Sequence, residues 1–324
     1  MTFSQSTHPG KMPIRVLQNN VIHHFENVRD DALEKHKRWV DSGKLQPGIK
    51  WLIGKERAIS PYANCGSREI VIQEVFLAYI WAMTYSLVVI YEEAIQKKMM
   101  AGQWNGNVEL NTPLLQNAER LFNWALTLTD KYSDWDKNLP NPEIHETVEE
   151  KYYAEKVNGI FLDAIVFILF HECCHLVNDH CELINKAGKK AVNQLTQREN
   201  QNYKALENEA DLFAIESLIA STDSNQWKSV KGLSIVLANI SLLFIVKNPK
   251  HLKSTTHPDI DTRLHNFLEY LGQDLPSFDY LWYLACFACR IFFGFHRVPV
   301  KSEPATTSIE LFYRYLAIFD SIKD

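Results

Sequence analysis

The chain has 324 residues, 46% hydrophobic and 23% charged, enough for a sizeable core in one large domain or two smaller ones. Its net charge of −5 gives no basic surface for phosphates, which excludes nucleic acid as the main partner. The opening MTFSQSTHPGKMPIR has no apolar signal core, and six cysteines without a secreted pattern fit a reducing, cytoplasmic setting, with peripheral attachment to an inner membrane as the minority option.

Residues 1–15 read as a flexible start, and residues 16–324 as a single domain with its metal-site core at about 68–270 and a helical part over 271–324. Val21 to Asp41 mixes charged and apolar positions as a helix does. Ile49 to Ile59 and REIVIQ (Arg68 to Gln73) read as extended on either side of the turn-rich SPYANCGS, which predicts a hairpin. Val75 to Tyr91 carries no charge over 17 residues, and Gly232 to Val246 none over 15. A spanning helix needs about 20 apolar residues. Both runs are therefore read as buried core helices, the first within a helix over 75–98. Leu114 to Asp130 is helical, YSDWDKNLPNPE is a connector, and Thr147 to Asn178 is helical with an interruption near Gly159. Residues 180–205 form a polar excursion, and helices follow over 206–219, 227–247, 259–272, 277–293 and 307–321. The expected fold is α+β and predominantly α-helical, with a small β-sheet on the N-terminal side. Cys286 and Cys289, among apolar and aromatic neighbours, read as core thiols rather than a metal or redox pair.

Chemistry concentrates in FHECCHLVNDH. His171, Glu172 and His175 spell HExxH, which on a helix turns both imidazoles toward one ion with a carboxylate beside them. Cys173 and Cys174 are the filler of that motif. His145-Glu146 is a decoy, because Glu149 stands where a second histidine is needed. A catalytic zinc keeps three protein ligands and an open position. His180 falls one residue short of the HExxHxxGxxH spacing, and Asn178 replaces its glycine. ENEADLFA, Glu207 to Ala214, serves better. Glu207 and Asp211 share a helix face, so Glu207 can ligate while Asp211 orients a ligand histidine. Ala210 allows close helix approach, and Glu209 points elsewhere toward solvent.

HExxH followed by ExxAD resembles the glutamate-zincin peptidases, which implies a zincin-like core. STTHPDIDTRLHNF (Ser254 to Phe267) resembles the HPxxxxR element of HtpX-like and CAAX prenyl proteases. That resemblance implies that His257 stabilises the oxyanion and that Arg263 supports the site through a charge-assisted hydrogen bond. FLDAIVFILFHECCHLVNDH, ENEADLFAIESLI and THPDIDTRL together resemble the Lit phage-exclusion peptidase family, as does the segment around Tyr79-Ile80-Trp81, over residues 68–93, 161–219 and 255–270. The resemblance implies a zinc endopeptidase of phage defence by abortive infection, with Glu172, His257 and Arg263 as catalytic residues and His171, His175 and Glu207 on the metal. Its implied substrate is translation elongation factor Tu, and its implied trigger a phage-derived peptide or protein. REIVIQ is then expected to be the edge strand that pairs with substrate. The rival readings are a membrane-associated CAAX/HtpX-like protease and a non-enzymatic zinc-stabilised binding protein.

Overall fold

The computed structural model describes residues 12–182, 196–253, 257–272, 274–301 and 305–323. It is mostly helical with one small sheet. The elements are α1 (Gln18–Asn27), α2 (Ala32–Asp41), β1 (Ile49–Leu52), β2 (Tyr62–Asn64), β3 (Glu69–Gln73), α3 (Glu74–Ile90), α4 (Lys97–Met100), α5 (Pro113–Leu128), α6 (Val148–Val177), α7 (Gln197–Leu218), α8 (Asn225–Leu243), α9 (Ile260–Leu271), α10 (Phe278–Phe295) and α11 (Ser308–Lys323). The expected flexible start, up to residue 11, and much of the polar excursion, residues 183–195, lie outside the described residues, as do 254–256.

The chain forms two compact units. The first comprises Met1–His24, Ile49–Tyr62 and Val71–Ile165. Its centre is α3, where every residue is buried, as expected of a helix with no polar face. A π-helical turn at Tyr91–Gln96 continues it. α3 packs on α5, whose Thr112 cap accepts a hydrogen bond from the Leu115 N–H, and whose Pro113 sits where its missing N–H costs nothing. Trp81, Trp124 and Trp135 pack at tilted angles, with Trp81–Trp135 centroids 5.6 Å apart and Trp124–Trp135 centroids 4.6 Å apart. Trp81 Nε1 donates to Asn158 Oδ1 at 2.8 Å, so the burial of this indole leaves no orphan donor. The Glu74 carboxylate at the start of α3 is buried and paired with Arg15.

The second unit comprises Phe25–Gly48, Ala63–Ile70 and Val166–Asp324. Phe25 packs on Phe170 at 4.9 Å between centroids, and Phe167 on Phe267 at 5.4 Å. These contacts bed the C-terminal half of α6 in apolar surroundings, each buried aromatic contributing about 1.5–3 kcal/mol. Cys286 and Cys289 are buried thiols on α10.

Several expectations change. α6 runs unbroken through Gly159, because one glycine inside a long apolar helix costs only about 1 kcal/mol relative to alanine. The helix expected over 21–41 is two helices, parted by the turn before Ala32. The sheet order is β1-β3-β2, so REIVIQ supplies the central strand, and β2, which the pattern did not reveal, is an edge. β3 is therefore already paired on both sides and has no free edge for a substrate. Among the described residues, three helical stretches are long and apolar enough to cross a membrane: Glu74–Met100, Val148–Val177 and Phe278–Phe295. In the fold, 100%, 83% and 50% of their apolar windows are buried, in that order, so the first two serve largely as core. The run at Gly232 to Val246 is not among them.

Candidate metal centre

α6 ends where its apolar run meets HECCH, and the helix places His171 and His175 one turn apart with both rings buried. Lys44 Nζ donates to the Val177 carbonyl at 2.7 Å and to Asp179 Oδ2 at 2.9 Å, and Arg68 Nη1 donates to the Leu176 carbonyl at 3.1 Å. Two cations thus satisfy the last carbonyls of α6 and complement its dipole. The chain leaves the helix through Asp179 at φ 60°, a left-handed position that aspartate tolerates better than most residues. That turn does what the absent glycine was expected to do, and it brings His180 back against His175.

α7 begins at Thr196, whose hydroxyl accepts from the Glu199 N–H while the Glu199 carboxylate accepts from the Thr196 N–H. This capping box starts the helix well before residue 206, the beginning expected from the sequence. From it, Glu207, Ala210 and Asp211 all fall on the buried face. His171 Nε2 lies 3.3 Å from His175 Nε2 and 3.3 Å from Glu207 Oε2, and His175 Nε2 lies 3.5 Å from Glu207 Oε1. These three residues offer ligand atoms all within 4.8 Å of one another.

The other ring nitrogens are engaged. His171 Nδ1 pairs with Asp211 Oδ1 at 2.8 Å, and Arg263 grips the same carboxylate through Nε at 2.9 Å and Nη2 at 2.5 Å. His175 Nδ1 lies 3.1 Å from His180 Nδ1. Both Nε2 atoms are thereby left for the centre. Glu207 Oε2 is buried and accepts no hydrogen bond there, although an orphaned carboxylate oxygen is costly. Two imidazoles and such a carboxylate are a donor set that suits a divalent transition metal, so the residues present fit one.

Electrostatics agree. Burial pulls the His171 imidazole toward neutrality, but Asp211 and Glu207 outweigh it and hold its pKa at about 10 without a metal. Burial raises Glu207 and Asp211 as well; beside His171 for the first and Arg263 for the second, both nonetheless fall to about 2. Burial, reinforced by the charge on His171, drives His175 down to about 3. Glu172 points to one side of the ligand set. Its Oε2 accepts the Ala63 N–H of β2 at 2.8 Å, and burial lifts its pKa to about 7.

His257 stands at the rim, its side chain 55% exposed, with Nε2 3.4 Å from Glu207 Oε1. Arg263 places its charge-assisted hydrogen bonds on Asp211. It is buried and holds that carboxylate, which in turn holds His171. Glu209, expected to face solvent alone, lies 3.4 Å from His180 Nε2.

The Peptidase U49 family model matches residues 70–285, two-thirds of the chain. The chain belongs to that family. It is thus a peptidase of the Lit-like family, with a protein substrate. No curated protein and no solved structure matches it. Within this U49 peptidase two features around the centre escaped sequence reading. One is Ala63, 109 residues from the carboxylate it serves. The other is a disulfide between Cys65 and Cys181, which joins the turn after β2 to the residue after His180 across a separation of 116. The sequence reading had not paired these two cysteines.

Proposed function

We propose that this U49 peptidase is a zinc-dependent endopeptidase of zincin type, with His171, His175 and Glu207 holding the ion. The observation that carries the reading is the buried convergence of two imidazole nitrogens and an otherwise unbonded carboxylate oxygen beside Glu172. Zinc bound there supplies a Lewis acid for the scissile carbonyl and lowers the pKa of water to about 7.

The chain's own residues do the rest. Glu172, whose burial raises its pKa, takes the proton of the attacking water and passes it to the leaving amine. The Ala63 N–H fixes the orientation of that carboxylate. His257, on the open side, donates to the oxygen that gains charge. Asp211 and Arg263 hold His171 in the tautomer that leaves Nε2 free. The edge strand carrying Ala63 takes over from REIVIQ as the main-chain partner of an extended substrate.

As to biology, our proposed substrate is a host protein, elongation factor Tu foremost, cut in response to a phage-derived trigger as a defence by abortive infection; the resemblance of the motifs to the Lit family is what suggests it. In the test, cells expressing the wild type or Glu172→Gln are compared with and without phage challenge. New protein termini are mapped, and zinc is measured in both purified proteins. The expected result is zinc in both and a new elongation factor Tu terminus in the wild type alone. Full activity of Glu172→Gln, or of a zinc-free wild type, would overturn the mechanism. Cleavage of another protein would overturn only the substrate.

A further inference from the structure

Behind the first centre lies a second set of ligand atoms. Cys174, His180 and Glu209 bring a sulfur, an imidazole nitrogen and a carboxylate oxygen within 4.8 Å of one another. Cys174 is fully buried, His180 is 2% exposed, and only Glu209 reaches solvent, so the cluster has a closed floor and one open side. His180 Nε2 lies 3.4 Å from Glu209 Oε2. The Asn178 amide donates to Glu209 Oε1 at 2.9 Å and to Cys174 Sγ at 3.5 Å, so a positively polarised group bridges the sulfur and the carboxylate. Ligand bonds of about 2.0–2.3 Å set neighbouring ligands of a tetrahedral ion about 3.3–3.8 Å apart. The nitrogen–oxygen pair already meets that spacing, and the sulfur needs only a small closure.

We propose that Cys174, His180 and Glu209 form a second metal site, for a thiophilic divalent ion of the Zn2+ or Cd2+ class, with the Asn178 amide displaced. Sulfur with imidazole selects such ions over magnesium or calcium. On binding, the Cys174 S–H bond breaks, a sulfur–metal bond forms and the proton leaves to solvent. This site also opposes the first, and that part alone rests on the proposed zinc centre. An imidazole bound through Nε2 carries its proton on Nδ1. With both sites filled, His175 and His180 set two N–H groups against each other across 3.1 Å. With only the first filled, His175 Nδ1–H donates to His180 without conflict. The second ion therefore binds more weakly when the first is in place, and excess metal weakens the first centre.

The test uses the full chain, dialysed free of metal and titrated with Co2+, whose thiolate-to-metal charge-transfer band reports sulfur ligation. Two equivalents are expected, with the band accompanying only the weaker. Cys174→Ser should remove the band. Glu209→Gln, at an exposed position that does not threaten folding, should weaken that equivalent by roughly tenfold to 100-fold. His171→Ala should remove the band-free equivalent and strengthen the other. A single band-free equivalent overturns the second site and leaves the first standing. A single equivalent with the band, lost in Cys174→Ser, supports the second site and overturns the first. A band that survives Cys174→Ser, or no metal bound at all, overturns the proposal.

Discussion

Glu172 shows how the surroundings of one buried side chain set its protonation. Burial alone would keep it protonated, whereas the His171 charge and the Ala63 N–H pull it back, and the balance falls at about 7. As the base proposed above, Glu172 must be ionised, so kcat/KM should fall about tenfold per pH unit below that value and level off above it. Glu172→Gln should retain zinc and lose about 10²–10⁴ in kcat, checked by peptide hydrolysis beside a zinc assay. Asp211 makes a separate prediction. Its pKa is depressed in the fold, so its contribution to stability is complete above the unfolded value of about 3.9 and is lost as the pH falls toward 2. Asp211→Asn should flatten acid unfolding over that window. It should also weaken metal binding by about 10–100-fold and cost about 3–5 kcal/mol, because Arg263 is left buried without its carboxylate. Sequence spacing set His171 with His175 and Glu207 with Asp211, each pair one helical turn apart, and the glutamate-zincin resemblance joined the two pairs. Ala63, His180 and Cys65 were not legible, because strand pairing and a left-handed turn place them and neither leaves a periodic trace.

At the scale of elements, helices with a uniform face were read well and their ends poorly. The apolar stretch of α3 leaves no alternative to a core helix. The start of α7, by contrast, depends on Thr196 and Glu199, two ordinary polar residues inside a polar stretch. β2 is three residues long, too short for an alternating pattern to show. The Cys65–Cys181 disulfide joins that strand's turn to the exit of α6, so it acts on two elements that present groups to the centre. Closing so long a loop should stabilise the fold by about 2–5 kcal/mol. Cys65→Ser, or reduction of the wild type, should lower the free energy of unfolding measured in urea by that amount without changing the zinc content, because no proposed ligand atom is removed.

On the scale of the whole molecule, the family membership and the mostly helical fold agree with what the sequence led us to expect. Apolar length was a weaker guide, because Val148–Val177 and Phe278–Phe295 also reach the length and composition of a span. A helix buried against its own chain has no apolar surface left for lipid. The complete burial of the apolar window in Glu74–Met100 therefore predicts that a lipid-soluble photolabel leaves this helix unmodified in cells. Labelling along its length would favour the membrane-associated alternative.

The capping box at Thr196 has a bearing on design. It seals the start of α7 without help from the residues before it, and the disulfide at Cys181 anchors the chain on the other side. The register of Glu207 is thus counted from Thr196, whatever precedes it. Replacing residues 183–195 by a glycine-serine sequence of equal length should therefore leave zinc affinity as it was, measured by titrating the metal-free protein. Any change in which protein is cut would then belong to the replaced sequence.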